Sequence, residues 1–412
     1  MADSQKLALE FQQNGFIVGN KFNEPDVYII NSCTITANAD RTARQAANYA
    51  KKQWPNSLVV MTGCYAERDP KELKSLESVD LIVGGKKKNE IVSRIIDRLN
   101  NRKISQIEIS EFGNNFLLGR TRASVKIQEG CDQVCSYCIV PKVRGREKSI
   151  PPIEIINSIN NLANRGVKEV VLTGTQLGTY GFEFGNMSLD ILIKKIISET
   201  EIPRIRVSSI QPHELNQSLL EIWMDDSRLC SHFHIPLQSG SDKILKSMRR
   251  KYDLRMFQNA VNEIRTYIPR ASITTDIIAG YPGETDDDHE ESKNYLKNLL
   301  LSDSHVFRYS DRPGTTSMYI NEKTPTKIID FRSFELREIA ILNKKNYLES
   351  SIGQIRKVLW EENEGRSGLT DNYVRVKLSK NMVFKKKVKK NTIDSVLLLK
   401  VIDDEVLADI IK

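Results

Sequence analysis

The sequence predicts a multidomain α/β protein, on three observations. Short apolar runs alternate with helical periodicity from about residue 27 to residue 99, the same alternation restarts near Ser124 with longer loops, and the chain closes on short β-like runs. At 412 residues and 47.0 kDa the chain fits roughly two to four domains. The boundaries suggested by these shifts are 1–112 for an N-terminal parallel α/β sheet domain, 113–345 for a partial (β/α)6 TIM-like barrel, and 346–412 for a small OB-like β-barrel.

Asp3 to Gln13 has helical spacing, with Leu7 and Phe11 on one face, Asp3 or Ser4 as N-cap and Gly15 as the stop. Val27–Ile30 and Leu58–Met61 are continuous apolar runs, the pattern of strands buried on both faces, and Ala37 to Gln53 between them is helical. Leu81–Val83 and a helix near Glu90 to Leu99 extend this βαβ pattern. Barrel strands are expected to begin near Ser124, Glu169, Arg204, His232, Ser272 and Ser304. The helices between and after them are Ile153–Arg165, Leu189–Ser198, Leu215–Met224, Leu254–Thr266, Asp287–Leu300 and Thr326–Leu348. Ile352–Trp360, Tyr373–Leu378, Met382–Val388 and Val396–Ile402 supply the terminal β-barrel, a shape used to hold oligonucleotides.

Composition narrows the function classes. With 40% hydrophobic and 28% charged residues the chain can bury a core, so it is neither disordered nor collagen-like. No apolar run reaches the length of a membrane helix and the first residues lack a signal peptide's pattern, which predicts a cytoplasmic location. The 61 basic against 53 acidic residues give a net charge of +8, which permits a polyanionic partner. Phosphate-loop and Gly-x-Gly-x-x-Gly patterns are missing from the sequence, which argues against those nucleotide-binding folds.

The strongest chemical signal is Cys131-Asp132-Gln133-Val134-Cys135-Ser136-Tyr137-Cys138, directly after the first barrel strand. Three thiolates from one short loop can hold three irons of a 4Fe-4S cube and leave the fourth open. A structural zinc would want a fourth nearby ligand, which this loop lacks. Ferredoxins use a different spacing.

This loop, with the aromatic Tyr137 before the third cysteine, resembles the radical S-adenosylmethionine signature. The whole chain is similar to the methylthiotransferases of that superfamily, through Glu129-Gly130, Ile139-Val140-Pro141, Arg144-Gly145, His234–Gly240, Gly280–Glu284 and Arg312–Thr315. Leu172–Gly181, Arg206–Pro212 and Gly368–Tyr373 resemble the members that act on N6-threonylcarbamoyladenosine in tRNA. The resemblance implies that Cys131, Cys135 and Cys138 are both metal ligands and the catalytic centre. It also implies that S-adenosyl-L-methionine is cleaved to a radical that abstracts hydrogen from carbon 2 of the modified adenine. The alternatives are the same chemistry on isopentenyladenosine in tRNA or on a ribosomal protein, or a noncatalytic RNA-binding protein.

Gly174, Gln176, Ser208, Gln238, Ser239, Gly280 and Glu284 fall just past expected strand ends, where barrel chemistry collects, and with Tyr137 they are the candidate cofactor-binding residues. Each glycine or serine taken singly is also an ordinary turn residue. Cys33 and Cys64 each end a buried apolar run, which places them on the carboxyl edge of one parallel sheet as buried structural thiols or as ligands. The resemblance makes them ligands of a second, auxiliary 4Fe-4S cluster that carries the inserted sulfur. The family's third ligand precedes the first helix and has no counterpart here, so either the natural start lies upstream of Met1 or the auxiliary site is lost.

The tail is similar to the TRAM domain of tRNA-modifying enzymes. Its Lys385, Lys386, Lys387, Lys389 and Lys390, together with Tyr373, are the candidate RNA-binding residues, although a lysine run is often no more than a solvated face. The implied partners are the tRNA anticodon stem-loop and a reductant such as flavodoxin or ferredoxin. Cys230 is expected to be an inert buried thiol, His232 and His234 to make hydrogen bonds inside the barrel, and His289 to lie on a solvated face.

Overall fold

The computed structural model describes residues 1–20, 24–100, 117–379 and 388–411. They fall into two compact units: 1–119 with 129–147 and 310–319, and 120–128 with 148–309 and 320–412.

The first unit opens on α1 (Ala2–Gln13), then runs β1 (Val27–Ser32), α2 (Ala37–Gln53), β2 (Leu58–Gly63), α3 (Cys64–Arg68), α4 (Pro70–Lys74), β3 (Leu81–Gly84) and α5 (Ile91–Asn100). The strands form a parallel sheet in the order β1-β2-β3. Because β2 is central, both of its faces must be apolar. Leu58 and Val60 pack with Phe11, Val83, Ile91 and Ile95 on one side, and Val59 and Met61 pack with Ala43, Ala47, Ala50 and Tyr65 on the other. Burying each such side chain is worth about 1.5–3 kcal/mol. Small alanines on α2 let it lie close to the sheet, and Thr36 caps it by accepting from the Ala39 amide at 3.2 Å.

One local expectation is corrected here. Asp3 and Ser4 lie inside α1 and do not cap it. Asp3 instead pairs with Lys88 at 2.8 Å, and the Ser4 hydroxyl accepts from Asn31 Nδ2 at 2.8 Å.

The second unit begins with β4 (Ala123–Lys126), and the chain then passes through the two-residue strands β5 (Gln128–Glu129) and β6 (Lys148–Ser149), with α6 (Val140–Arg144) of the first unit between them. There follow α7 (Pro152–Asn164), β7 (Glu169–Thr173), α8 (Leu189–Glu199), β8 (Arg204–Val207), α9 (Gln217–Asp225), β9 (His232–His234), α10 (Asp242–Ser247), α11 (Leu254–Tyr267), β10 (Ser272–Ala279), α12 (Asp286–Asn298), β11 (Asp303–Arg308) and α13 (Thr326–Ser350). The strands form two parallel sheets, β4-β7-β8 and β9-β10-β11, joined by a parallel bridge from Ser209 to His234. Six parallel strands in chain order, each followed by helix, make the partial barrel that the βα alternation predicts.

After α13 the chain closes a five-stranded barrel: β12 (Ile355–Trp360), β13 (Gly368–Thr370), β14 (Arg375–Leu378), β15 (Ile393–Ile402) and β16 (Glu405–Ile410), in the order β12-β13-β14-β16-β15. Trp360, Val358, Val376, Val396, Val406 and Ala408 fill it. The expected strand Met382–Val388 lies, apart from Val388, outside the described residues. β13 and β16 are strands that the apolar runs did not reveal.

Candidate functional site

In the first unit the three-thiol loop is held by its own backbone. The Cys131 amide donates to the Gly145 carbonyl at 3.2 Å, and the Cys138 amide donates to the Cys135 carbonyl at 3.1 Å. Gly130 makes the entry possible, with φ +77° and only 1.9 Å between an added Cβ and the Arg146 carbonyl oxygen, so no larger residue fits. The Gln133 amide donates to Cys131 Sγ at 3.4 Å, while the buried Gln133 Nε2 has no hydrogen-bond partner among the described residues. Three thiols, an N–H aimed at one sulfur and an orphaned buried donor fit a sulfur-ligated iron cluster, whose sulfurs accept such bonds. Tyr137 lies in the same loop and is partly buried.

Also in this unit, register brings the other two candidate thiols together. Ser32 pairs with Gly63 across β1 and β2, so Cys33 and Cys64 leave neighbouring strands at one sheet edge. Arg144, at the end of α6, donates from Nε to Cys64 Sγ at 3.4 Å. Burial works against the Arg144 charge, but the Cys64 sulfur and the Asp3 and Glu129 carboxylates raise its pKa above the usual value. A cation beside a sulfur at a strand edge suits an anionic sulfur-bound group.

Arg312, in the expected Arg-Pro-Gly-Thr segment, is anchored in the same unit. Asp40 is buried and takes bonds from Arg312 at 2.9 Å, Arg68 at 3.0 Å and the Thr34 hydroxyl at 2.6 Å, which ties this segment to the start of α2. The motif is visible in the sequence, but its acidic partner lies 272 residues away.

In the second unit the candidate cofactor residues are at strand ends as expected, but their side chains have different roles. Gly174 packs against Gln128, whose Oε1 accepts from the Thr175 and Gln176 amides at 2.8 and 3.0 Å. Gln176 donates to Glu214 at 2.8 Å and is buried. Ser208 donates its amide to the Leu172 carbonyl at 3.1 Å, and the buried Ser239 hydroxyl accepts from the Ser241 amide at 3.3 Å. Gln238 adopts φ +69° and bonds through its backbone to Asp276 and Ile278.

Glu284 is buried and paired with Arg332 at 3.0 Å, and it accepts from the Gly280 amide at 2.6 Å, so its carboxylate braces the turn. Burial raises its pKa despite the Arg332 guanidinium. Gly280, at φ +76°, is the residue that this turn demands, since a Cβ would meet Ile329 Cγ1 at 2.4 Å.

Tyr373 also departs from expectation. Its ring stacks on His232 at 4.7 Å between centroids and lies under the Arg206 and Arg122 guanidiniums at 4.5 and 5.3 Å, while its hydroxyl bonds Glu169. With its faces covered, the ring is not a platform for an RNA base. Lys389 and Lys390 are exposed, whereas Lys385, Lys386 and Lys387 lie outside the described residues.

Cys230 is buried as expected, which pushes its thiol up to about 12. It borders a cavity of 520 Å³ lined also by Lys168, Arg204, Arg228, Lys357 and Asp394. His289 is not on a solvated face: it is buried and lies 2.8 Å from Glu335, because α13 covers that side of α12. His232 and His234 do bond inside the unit, both to the Thr274 hydroxyl, at 3.2 and 3.0 Å. Reading one strand at a time missed Asp276 and His305, which sit beside His234.

Comparison with known proteins agrees with this geometry. Residues 125–296 match the radical SAM superfamily, and residues 1–84 match the uncharacterized protein family UPF0004. A threonylcarbamoyladenosine tRNA methylthiotransferase of Aquifex aeolicus is 36% identical, covering 91% of this chain and 93% of its own. A tRNA-2-methylthio-N(6)-dimethylallyladenosine synthase of Endomicrobium trichonymphae is 34% identical, covering 88% and 86%. Among solved structures, the radical S-adenosylmethionine methyltransferase TsrM of Kitasatospora setae shares the fold, with TM-score 0.54 at 12% identity over 74% of this chain and 71% of that one. The chain belongs to the radical S-adenosylmethionine methylthiotransferase family.

Proposed function

We propose that this chain adds a methylthio group to carbon 2 of N6-threonylcarbamoyladenosine beside the anticodon of tRNA. The observation that carries the reading is the loop of Cys131, Cys135 and Cys138 in a chain that aligns along nine-tenths of its length with a relative named for that reaction. The three thiols would hold a 4Fe-4S cluster with one open iron, and Cys33 and Cys64 would hold the auxiliary sulfur-bearing cluster. When bound, the first cluster supplies one-electron cleavage of S-adenosylmethionine, which is needed because an adenine C–H bond does not yield to polar chemistry.

The Gln133 amide directs a hydrogen bond at Cys131 Sγ, and Arg144 fixes Cys64 Sγ at the sheet edge. Glu284 and Arg332 hold the Gly280 turn in shape, which supports Gln238, Ser239 and Ser208 as candidate cofactor contacts alongside Tyr137, Gly174 and Gln176. Lys389 and Lys390 offer charge to the tRNA backbone, whose phosphates supply most nonspecific affinity. A flavodoxin or ferredoxin would deliver the electron.

The test is nucleoside mass spectrometry of tRNA from cells lacking their own methylthiotransferases and expressing this chain. Threonylcarbamoyladenosine carrying the added mass of a methylthio group is the expected product. Appearance of the group on dimethylallyladenosine instead would shift the assignment to the second relative's substrate, and no modified nucleoside at all would overturn it.

A further inference from the structure

We infer that His234, Asp276 and His305 form a binding site for one divalent metal ion, zinc or ferrous iron, in the second unit. The three residues stand on β9, β10 and β11. Register aligns His234 with Thr274 and Asp276 with His305, so all of them project from the same face of one sheet. His234 Nε2 lies 3.2 Å from one carboxylate oxygen of Asp276, and His305 Nδ1 lies 3.2 Å from the other. All three ligand atoms lie within 4.8 Å of one another.

Two features favour a metal over a simple hydrogen-bonded trio. Charge-assisted bonds to a carboxylate usually close to about 2.7–2.9 Å, and both contacts here are longer. Ligands about 2.0–2.2 Å from a tetrahedral zinc ion stand about 3.3–3.6 Å apart, and the two 3.2 Å contacts, one to each Asp276 oxygen, lie close to that spacing. The second feature is Thr274, whose hydroxyl lies 3.0 Å from His234 Nδ1. In the tautomer whose Nδ1–H donates to this hydroxyl, the Nε2 lone pair faces the site, and such an outer partner is how metal-binding histidines are oriented.

Two imidazoles and one carboxylate, with no thiolate, suit borderline divalent ions rather than calcium or magnesium. The site is open on one side. The His234 and Asp276 side chains are 12% and 28% exposed, but His305 is 55% exposed. The remaining coordination positions can therefore take water or a carboxylate or hydroxyl oxygen.

The test uses the full chain with its clusters reconstituted anaerobically. After dialysis against micromolar zinc, zinc is counted by mass spectrometry, and iron and sulfide are counted separately. The intact protein is expected to retain one zinc more than His305→Gln or Asp276→Asn, with iron and sulfide unchanged. Zinc held by any cysteine cancels in this difference. His305 is exposed enough that its replacement leaves the fold intact, which circular dichroism checks. Equal zinc in the intact protein and in folded His305→Gln would overturn the assignment.

Discussion

The three-stranded sheet of the first unit and the six-stranded arrangement of the second are built by the same strand–helix alternation, yet they place their chemistry differently. In the sheet, β2 is apolar on both faces, and the candidate ligands Cys33 and Cys64 stand just past the strand ends. In the second unit one strand face is polar along its length: His232, His234, Thr274 and Asp276 share it, and Arg206, on a strand of the other sheet, reaches His232 at 3.2 Å. A flat sheet covered by helices on both sides has no room for polar groups except at its edge. A curved arrangement encloses a space that polar side chains can line if they bond one another.

This contrast can be pressed experimentally. The largest effect is expected at the thiol loop: Cys131→Ala should abolish 5′-deoxyadenosine formation and the visible absorbance of the cluster while leaving tRNA binding in gel-shift assays unchanged. Retained cofactor cleavage would remove the loop from the chemistry. In the covered sheet, Met61→Ala should cost about 2–5 kcal/mol in urea denaturation by opening a cavity in a fully buried strand. Its cluster content, once folded, should stay normal.

On the polar face, Thr274→Val keeps the shape but strips the hydroxyl from His232 and His234, and should cost about 1–3 kcal/mol. Unlike Met61→Ala, it should also reduce zinc retention in the dialysis experiment. If both variants changed stability alone, the distinction between an inert sheet and a functional strand face would be lost. The smallest effect is expected on the terminal barrel, where Lys389→Ala or Lys390→Ala should each weaken tRNA binding across sequences and lower the salt-dependence slope by about 1. Filter binding at several salt concentrations measures it.

Sequence reading succeeded where chemistry and spacing are local. The Cys131–Cys138 loop, the apolar strands of the first sheet, the helix spanning Ala37–Gln53 and the order of the six barrel strands all follow from neighbours along the chain. It misjudged residues whose partners are remote. Tyr373 looked like a base-stacking ring, but Glu169 binds its hydroxyl from 204 residues away, and no residue near Glu284 in the chain announces its pairing with Arg332 on α13. His289 was read as solvated for the same reason, since nothing near it in the chain announces Glu335.

What the sequence determined by itself, then, is the thiol spacing and the strand–helix order, because three close cysteines and a two-sided apolar run carry their meaning within a few residues. Only the tertiary structure decided which polar groups are occupied and which converge. Ion pairs and candidate ligand sets such as His234, Asp276 and His305 depend on the register of strands far apart in the chain, and no local pattern encodes that register.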